Sequence, residues 1–194
     1  MWLNQTAAPS GAPITLAEAK AHCRVDHTDD DALIGSMIDA AAQHLDGRHG
    51  YLGRCLMTQS WEYRVHCFPQ CGVIELPFPP LQSVASVKYL DEAGIEQTLI
   101  ANTDYVVDTA TYNGQIRRAY NVVWPFARLE DYAVRIIFSA GFGDAAAVPQ
   151  PIKNAMLMMI GHLYEHRETV TDGNLVEVPL AARWLLGPYR IEPI

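Results

Sequence analysis

Apolar residues recur at helical spacing in two stretches near the start of the chain. Thr15 and Glu18 have the spacing of a capping box, which predicts a short helix over about 16–25. Behind Thr28 and the aspartates at 29–31, apolar residues recur every three or four positions, as one face of a longer helix requires. We expect these polar residues to cap that helix, which should end near 47–50.

The period then changes to two. Apolar and polar residues alternate over 57–67, as in a half-buried strand, and several β-branched or aromatic runs follow as far as about 138. Between these runs, Asp91–Gly94 fits a hairpin loop, and Asn113 with Gly114 predicts a tight type I′ turn. The pattern indicates an antiparallel β unit of about six or seven strands.

The last part of the chain is helical again. Pro151 suits the first turn of a helix that runs to about Glu168, and a short helix should follow around 180–186. After it, two prolines and alternating apolar residues predict an extended arm. At the other end, the stretch before Ile14 is rich in Ala, Pro, Ser and Gly, which predicts a flexible arm or an edge segment ordered only by partners.

These patterns predict an α+β fold. Residues 14–50 and 149–187 should form a helical core, with an antiparallel β insertion at 54–140. Flexible and extended arms, 1–13 and 188–194, should flank them.

Composition indicates a protein made in a cytoplasm. The chain has 194 residues, of which 49% are hydrophobic, enough to bury a core. No apolar run reaches the roughly 20 residues of a membrane span, and the first residues lack the features of a signal peptide. We therefore expect no membrane partner, and we expect the four cysteines to be reduced thiols.

The charge argues against sequence-specific binding of nucleic acid. The formal net charge is −8, so the summed field repels phosphate. The densest basic clusters are pairs or near-pairs such as Arg117 with Arg118, which a solvated surface explains. An acidic wall past which DNA slides remains compatible with these numbers.

One motif suggests an enzyme. His162, Glu165 and His166 match the H-x-x-E-H pattern, in which two imidazoles bind zinc and a glutamate activates water. A catalytic zinc also needs a third protein ligand, which in this class is a glutamate on another helix, and no downstream glutamate is predicted to lie in a later helix: Glu168, Glu177 and Glu192. We interpret the motif as the polar end of a helix, and a zinc-dependent hydrolase remains the alternative.

Two other clusters are poor sites. His66, Cys67 and Cys71, with Cys55 nearby in sequence, lack the second cysteine pair that structural zinc sites of this kind show. The aspartates at 26–31 lack the glycine and bidentate glutamate of a calcium loop. We predict no catalytic residues, no cofactor and no metal.

Four short stretches carry a resemblance to a known family. They are Ile14–Lys20, Asp29–Ile34, Pro149–Met156 and His162–Arg167, which open the first three helices and end the third. In this order, around a β insertion, they resemble the head-to-tail connector (adaptor) proteins of long-tailed phages and gene transfer agents, in the larger subgroup that carries such an insertion.

The resemblance implies a structural virion protein with no enzymatic activity, located at the neck of a tailed phage or phage-like particle. Such proteins form a ring, commonly of twelve copies, beneath the portal protein. The ring hands the DNA channel to a stopper or tail-completion protein below, and the chain could itself be one of those neighbouring components.

Apolarity alone selects the residues for portal or subunit contacts in the C-terminal segment. The candidates are Trp184, Leu185, Leu186, Tyr189, Ile191 and Ile194. The alternative for 184–186 is packing within the chain's own core, because terminal helices often dock on their own domain.

Overall fold

The chain folds into two compact units, each assembled from segments that are distant in sequence. The computed structural model describes residues 2–166 and 180–191. The β unit comprises 1–9 and 58–141, and the helical unit comprises 10–57 and 142–194. The helices and antiparallel sheets confirm the predicted α+β class.

The helical unit contains the four α-helices found in the described ranges. They are α1 Leu16–Cys23, α2 Asp31–Leu45, α3 Gln150–Glu165 and α4 Leu180–Leu186. Pro151 lies in the first turn of α3, as predicted, and a 3₁₀ turn, Gly187–Tyr189, follows α4. No helix in these ranges is long and apolar enough to cross a bilayer.

One apolar core holds the helical unit together. Ile34 and Leu45 of α2 are completely buried in it, as are Ile152 and Met156 of α3. Leu186 of α4 is buried in the same core. Complete burial of such a side chain contributes about 1.5–3 kcal/mol, so these few contacts dominate the stability of the unit.

The predicted capping box of α1 is confirmed. The Glu18 amide donates to the Thr15 hydroxyl at 3.2 Å, and the Thr15 amide donates to the Glu18 carboxylate at 2.8 Å. Lys153 of α3 donates to the same carboxylate at 2.9 Å. These hydrogen bonds lower the pKa of Glu18 to about 2. The bond from the Thr15 amide has the largest effect, and the bond from Lys153 has the next largest.

The aspartates at the N-terminal end of α2 contact residues of other helices. Asp30 is the N-cap residue, but its side chain accepts no bond from the first turn, so the predicted capping role is wrong for it. Instead, the Tyr164 hydroxyl of α3 donates to Asp30 at 2.6 Å. Asp31 forms an ion pair with Lys20 of α1 at 2.5 Å. These carboxylates therefore link α2 to its two neighbours.

The β unit contains eight strands. They are β1 Trp2–Ala7, β2 Gln59–Val65, β3 Val73–Glu75, β4 Leu81–Leu90, β5 Glu96–Leu99, β6 Tyr105–Asp108, β7 Gln115–Arg118 and β8 Val134–Ala140. One antiparallel sheet has the order β1-β2-β8-β4-β5, and a second has the order β3-β7-β6. Every second residue of β8 is buried, so this central strand supplies much of the core.

The N-terminal segment forms an edge element, which was the alternative to a flexible arm. Trp2–Ala7 forms an edge strand that pairs antiparallel with β2. Leu3 is buried, and the Arg64 guanidinium lies 4.5 Å from the centre of the Trp2 ring. Because most other side chains of this strand are exposed, its own sequence shows no alternation, and the pairing depends on the partner strand.

Of the two predicted turns, one is confirmed and one is wrong. The Asp91–Gly94 loop joins β4 to β5, and the Asp91 carboxylate accepts from the Ala93 and Ile95 amides. Asn113 lacks the positive φ that a type I′ turn requires, whereas Gly114 has φ 59°. Asp108 pairs with Gln115, so the intervening loop is longer than a two-residue turn.

Replacing Glu18 by Gln should destabilise the protein at neutral pH and have less effect in acid. Because the folded-state pKa of Glu18 lies near 2, below its ordinary value of 4.5, the carboxylate stabilises the fold above pH 4.5. That contribution should be lost as the pH falls from 4.5 towards 2. Urea unfolding of both proteins between pH 7 and 2 tests this. A constant difference over that range would contradict it.

Replacing Gly114 by Ala should lower the free energy of unfolding by about 2 kcal/mol or more, because the residue combines a positive φ with a close neighbour. An added Cβ would lie 2.3 Å from the Leu81 Cβ. Gly35→Ala is the control, since α2 leaves open space at that position and alanine favours a helix. Thermal or denaturant unfolding measures both variants, and equal stabilities would contradict the expectation.

Candidate assembly surfaces

The predicted zinc-binding pair lies at the end of α3. His162 and His166 place their ring centres 4.6 Å apart, edge to face, and the His166 amide donates to the His162 carbonyl at 3.0 Å. Over 2–166 and 180–191, no three His, Cys, Asp or Glu side chains are grouped to hold a metal. The glutamates considered as a third ligand, Glu168, Glu177 and Glu192, lie outside the described residues.

Glu165, the general base of the hydrolase alternative, lies near α1. Its negative charge acts on Cys23, where burial and then this charge raise the pKa of the thiol. A raised pKa keeps the thiol protonated at neutral pH, so it is a poor nucleophile and a poor metal ligand. Glu165 therefore lies near a neutral thiol, and no group of metal-binding side chains surrounds it within the part of the chain that the structure describes.

The cysteines near His66 also remain separate groups. All four cysteines are free thiols, and Cys67 and Cys71 are exposed. His66 turns to the loop before β8, where its Nδ1 lies 3.0 Å from the Asp131 carboxylate and its ring stacks on Tyr132. This geometry gives the imidazole partners other than a metal.

The C-terminal candidates divide between core and surface. Leu186 is only 1% exposed, and Leu185 and Tyr189 are half-buried against the core of the helical unit. Trp184 is 80% exposed, and Leu180, one turn earlier on α4, is 77% exposed. Among the described C-terminal candidates, Trp184 is therefore the one exposed enough to contact another protein, on the face of α4 that also carries Leu180.

The chain after α4 is docked as well. A 3₁₀ turn extends to Tyr189, where an extended arm was predicted from residue 188. The Ile191 amide donates to the Leu52 carbonyl at 3.0 Å, and Arg54 Nε donates to the Tyr189 carbonyl at 2.6 Å. Ile194 lies outside the described residues.

Cations of the larger sheet are neutralised within it. Arg64, Arg135 and Lys88 occupy adjacent positions on β2, β8 and β4, where like charges would repel. Glu62 lies 2.8 Å from Arg64, and Glu96 lies 2.9 Å from Arg135 and 2.7 Å from Lys88. This face therefore offers no uncompensated basic stripe for a phosphate backbone.

The structure also shows an exposed apolar surface that the sequence did not reveal. Four large side chains between β7 and β8 point to solvent: Tyr120, Val123, Phe126 and Leu129. Their spacing of three fits neither a helix nor a strand, so periodicity gave no reason to group them. We call 120–129 the apolar segment.

The chain matches a family of phage head-tail connector proteins. Residues 13–120 match the family model described as phage gp6-like head-tail connector protein. Among the curated proteins compared, none matches.

Solved structures match along the full chain. One, described as the virion of a native gene transfer agent (GTA) particle, has a TM-score of 0.77 at 24% identity. The neck of an empty GTA particle computed with C6 symmetry gives 0.75 at 25%, and the neck of a native GTA particle computed with C12 symmetry gives 0.74 at 24%. Each match covers 100% of this chain and 97% of the other.

The family match spans more than half of the chain, including α1, α2 and the strands from β2 to β7, and the solved GTA structures match the whole chain. The chain therefore belongs to the phage gp6-like head-tail connector family.

Proposed function

We propose that this chain is a structural adaptor, which forms a ring at the neck of a phage-like particle and connects the capsid to the tail. The match of residues 13–120 to the head-tail connector family carries the proposal. Full-length similarity to chains of GTA neck structures supports it, and the symmetry of those structures, C6 and C12, favours a ring.

We further propose that the ring contains twelve copies, binds the portal protein on one side and meets a stopper or tail-completion protein on the other. DNA would pass through it without sequence-specific contacts. The formal charge of −8 per copy supports this, because an acidic lumen repels phosphate and does not retain the passing strand. The neutralised cations of the larger sheet agree with it.

The exposed face of α4 is our candidate for the portal contact. Trp184 and Leu180 lie one turn apart and leave the helix on the side opposite the buried Ala182 and Leu186. Tryptophan is the side chain that most often dominates a protein interface, since it buries a large apolar surface. Leu185, Tyr189 and Ile191 would act indirectly, because their contacts within the helical unit hold α4 in place.

We propose no enzymatic activity. His162 and His166 provide two ligands, whereas catalytic zinc requires three protein ligands and an open position. The described residues supply no third ligand beside them. Membership of a structural family supports the same conclusion.

Trp184→Ala should weaken binding to the purified portal protein by roughly thirty-fold, or about 2 kcal/mol, because an exposed tryptophan at an interface is commonly a hot spot. Surface plasmon resonance with the full chain measures the dissociation constant. Tyr112→Ala is the matched control, since Tyr112 is also an exposed aromatic residue and lies on the β unit outside the apolar segment. Equal affinities of Trp184→Ala and wild type would exclude this portal contact.

Protein purified without added metal should contain far less than one equivalent of zinc, because the histidine pair lacks a third ligand. Elemental analysis of wild type and His162→Ala measures this. We expect the same low content in both proteins. Close to one equivalent in wild type, lost in His162→Ala, would favour the hydrolase alternative.

A further inference from the structure

The apolar segment exposes a large apolar side chain at every third position. Exposure ranges from 64% for Phe126 to 93% for Tyr120, with Val123 and Leu129 between them. Large apolar side chains grouped in this way on a protein surface commonly mark a site of protein association. The four residues lie within ten positions of one another, on a single connection between two strands.

The segment is held in place although it has no regular secondary structure. The Trp124 ring stacks on Phe68, with centres 4.9 Å apart and planes 12° apart. Ala127 is buried, and the Arg128 amide donates to the Leu90 carbonyl at 2.9 Å. A surface fixed in this way loses little conformational entropy when a partner binds, which favours association.

The backbone of this segment makes few hydrogen bonds of its own. Pro125 has no amide hydrogen, and within the described part of the chain the amides of 123, 124, 126 and 127 donate to no backbone carbonyl. Tyr120 belongs to a turn in which the Val122 amide donates to the Ala119 carbonyl at 3.1 Å and Asn121 has φ 58°. Val123 and Phe126 expose their apolar side chains on the irregular stretch that follows this turn.

Three arginines lie within this segment or just before it in sequence, and two of them are neutralised. They are Arg117, Arg118 and Arg128, in a chain of net charge −8. Arg117 pairs with Asp108 at 3.2 Å, and Arg128 pairs with Glu130 at 3.1 Å. Arg118 forms no ion pair with the residues that the structure describes. The partner of this surface should therefore carry acidic groups.

We infer that the apolar segment is the surface through which a second copy of this chain docks beside the first. The inference rests on the proposed ring, in which each copy must present two different, complementary surfaces.

The helical unit of a second copy carries acidic groups that could pair with Arg118. Asp26, Asp29 and Asp39 of the helical unit are exposed and form no ion pair within the described ranges. The portal contact proposed above uses α4, so it leaves the apolar segment unoccupied.

Photo-crosslinking in assembled particles tests the inference. Benzoylphenylalanine replaces Phe126 in the full chain, particles are purified and irradiated, and mass spectrometry identifies the product. We expect a product of two copies of this chain. The same replacement at Ile100, which is 63% exposed on the same unit, is the control and should give much less of it. A product with the portal or another neck protein, equal yields at both positions, or no product would each overturn the inference.

A pair of double variants gives a second measurement. Val123→Ser with Phe126→Ser should reduce the number of copies per particle by about tenfold, whereas Ile95→Ser with Ile100→Ser should leave it unchanged. Circular dichroism of the purified chains checks that the variants fold. We expect them to fold, because the replaced side chains are exposed and contribute little to stability. Normal copy number in the first pair would overturn the inference.

Failure of the proposed function gives a different result. In that case the wild-type chain is absent from purified particles, and the inference falls with it. A wild-type chain that is present, while Phe126 crosslinks elsewhere, overturns only the docking of a second copy.

Discussion

The helical unit depends on the burial of α2 against α3 in one core, although the β unit lies between these helices in the sequence. The cost of closing so long a connection grows slowly, by only about 0.6 kcal/mol for each doubling of its length. Burial of one large aliphatic residue contributes about 1.5–3 kcal/mol and exceeds that increment. The core therefore tolerates a large insertion, and Glu18 with Lys153 and Asp30 with Tyr164 add polar contacts that fix which helices meet.

Much of the fold could be predicted from the sequence because its elements carry their own pattern. The capping box of α1 and the apolar face of α2 are local features, and so is the alternation in β2. For β1 the sequence left a flexible arm and an edge segment open, because only Leu3 of that strand is buried and its order comes from pairing with β2. Asp31 lies in the first turn of α2, where the prediction placed negative charge. The contacts of Asp30 with Tyr164 and of Asp31 with Lys20 could not be predicted, because these partners lie on other helices.

The surfaces were harder to predict than the fold. Trp184 and Leu186 are both apolar and lie on the same short helix, so composition cannot separate the exposed residue from the buried one. The direction of α4 relative to its core decides between them. The apolar segment has no helical or strand period, and only its anchoring by Trp124 and Ala127 reveals which of its side chains face solvent. An assembly protein is defined by such surfaces, which depend on tertiary structure.

The position of β8 has a consequence for synthesis of the chain on the ribosome. β8 lies between β2 and β4, and it pairs with both along its whole length. A ribosome adds residues in sequence order, so β2 and β4 emerge long before the strand that must separate them. The centre of the larger sheet stays incomplete until Ala140 has left the exit tunnel, and the nascent chain holds unpaired strand edges until then. Folding of the β unit is thus a late event, and rapid translation of the segment up to β8 would shorten the period of exposure.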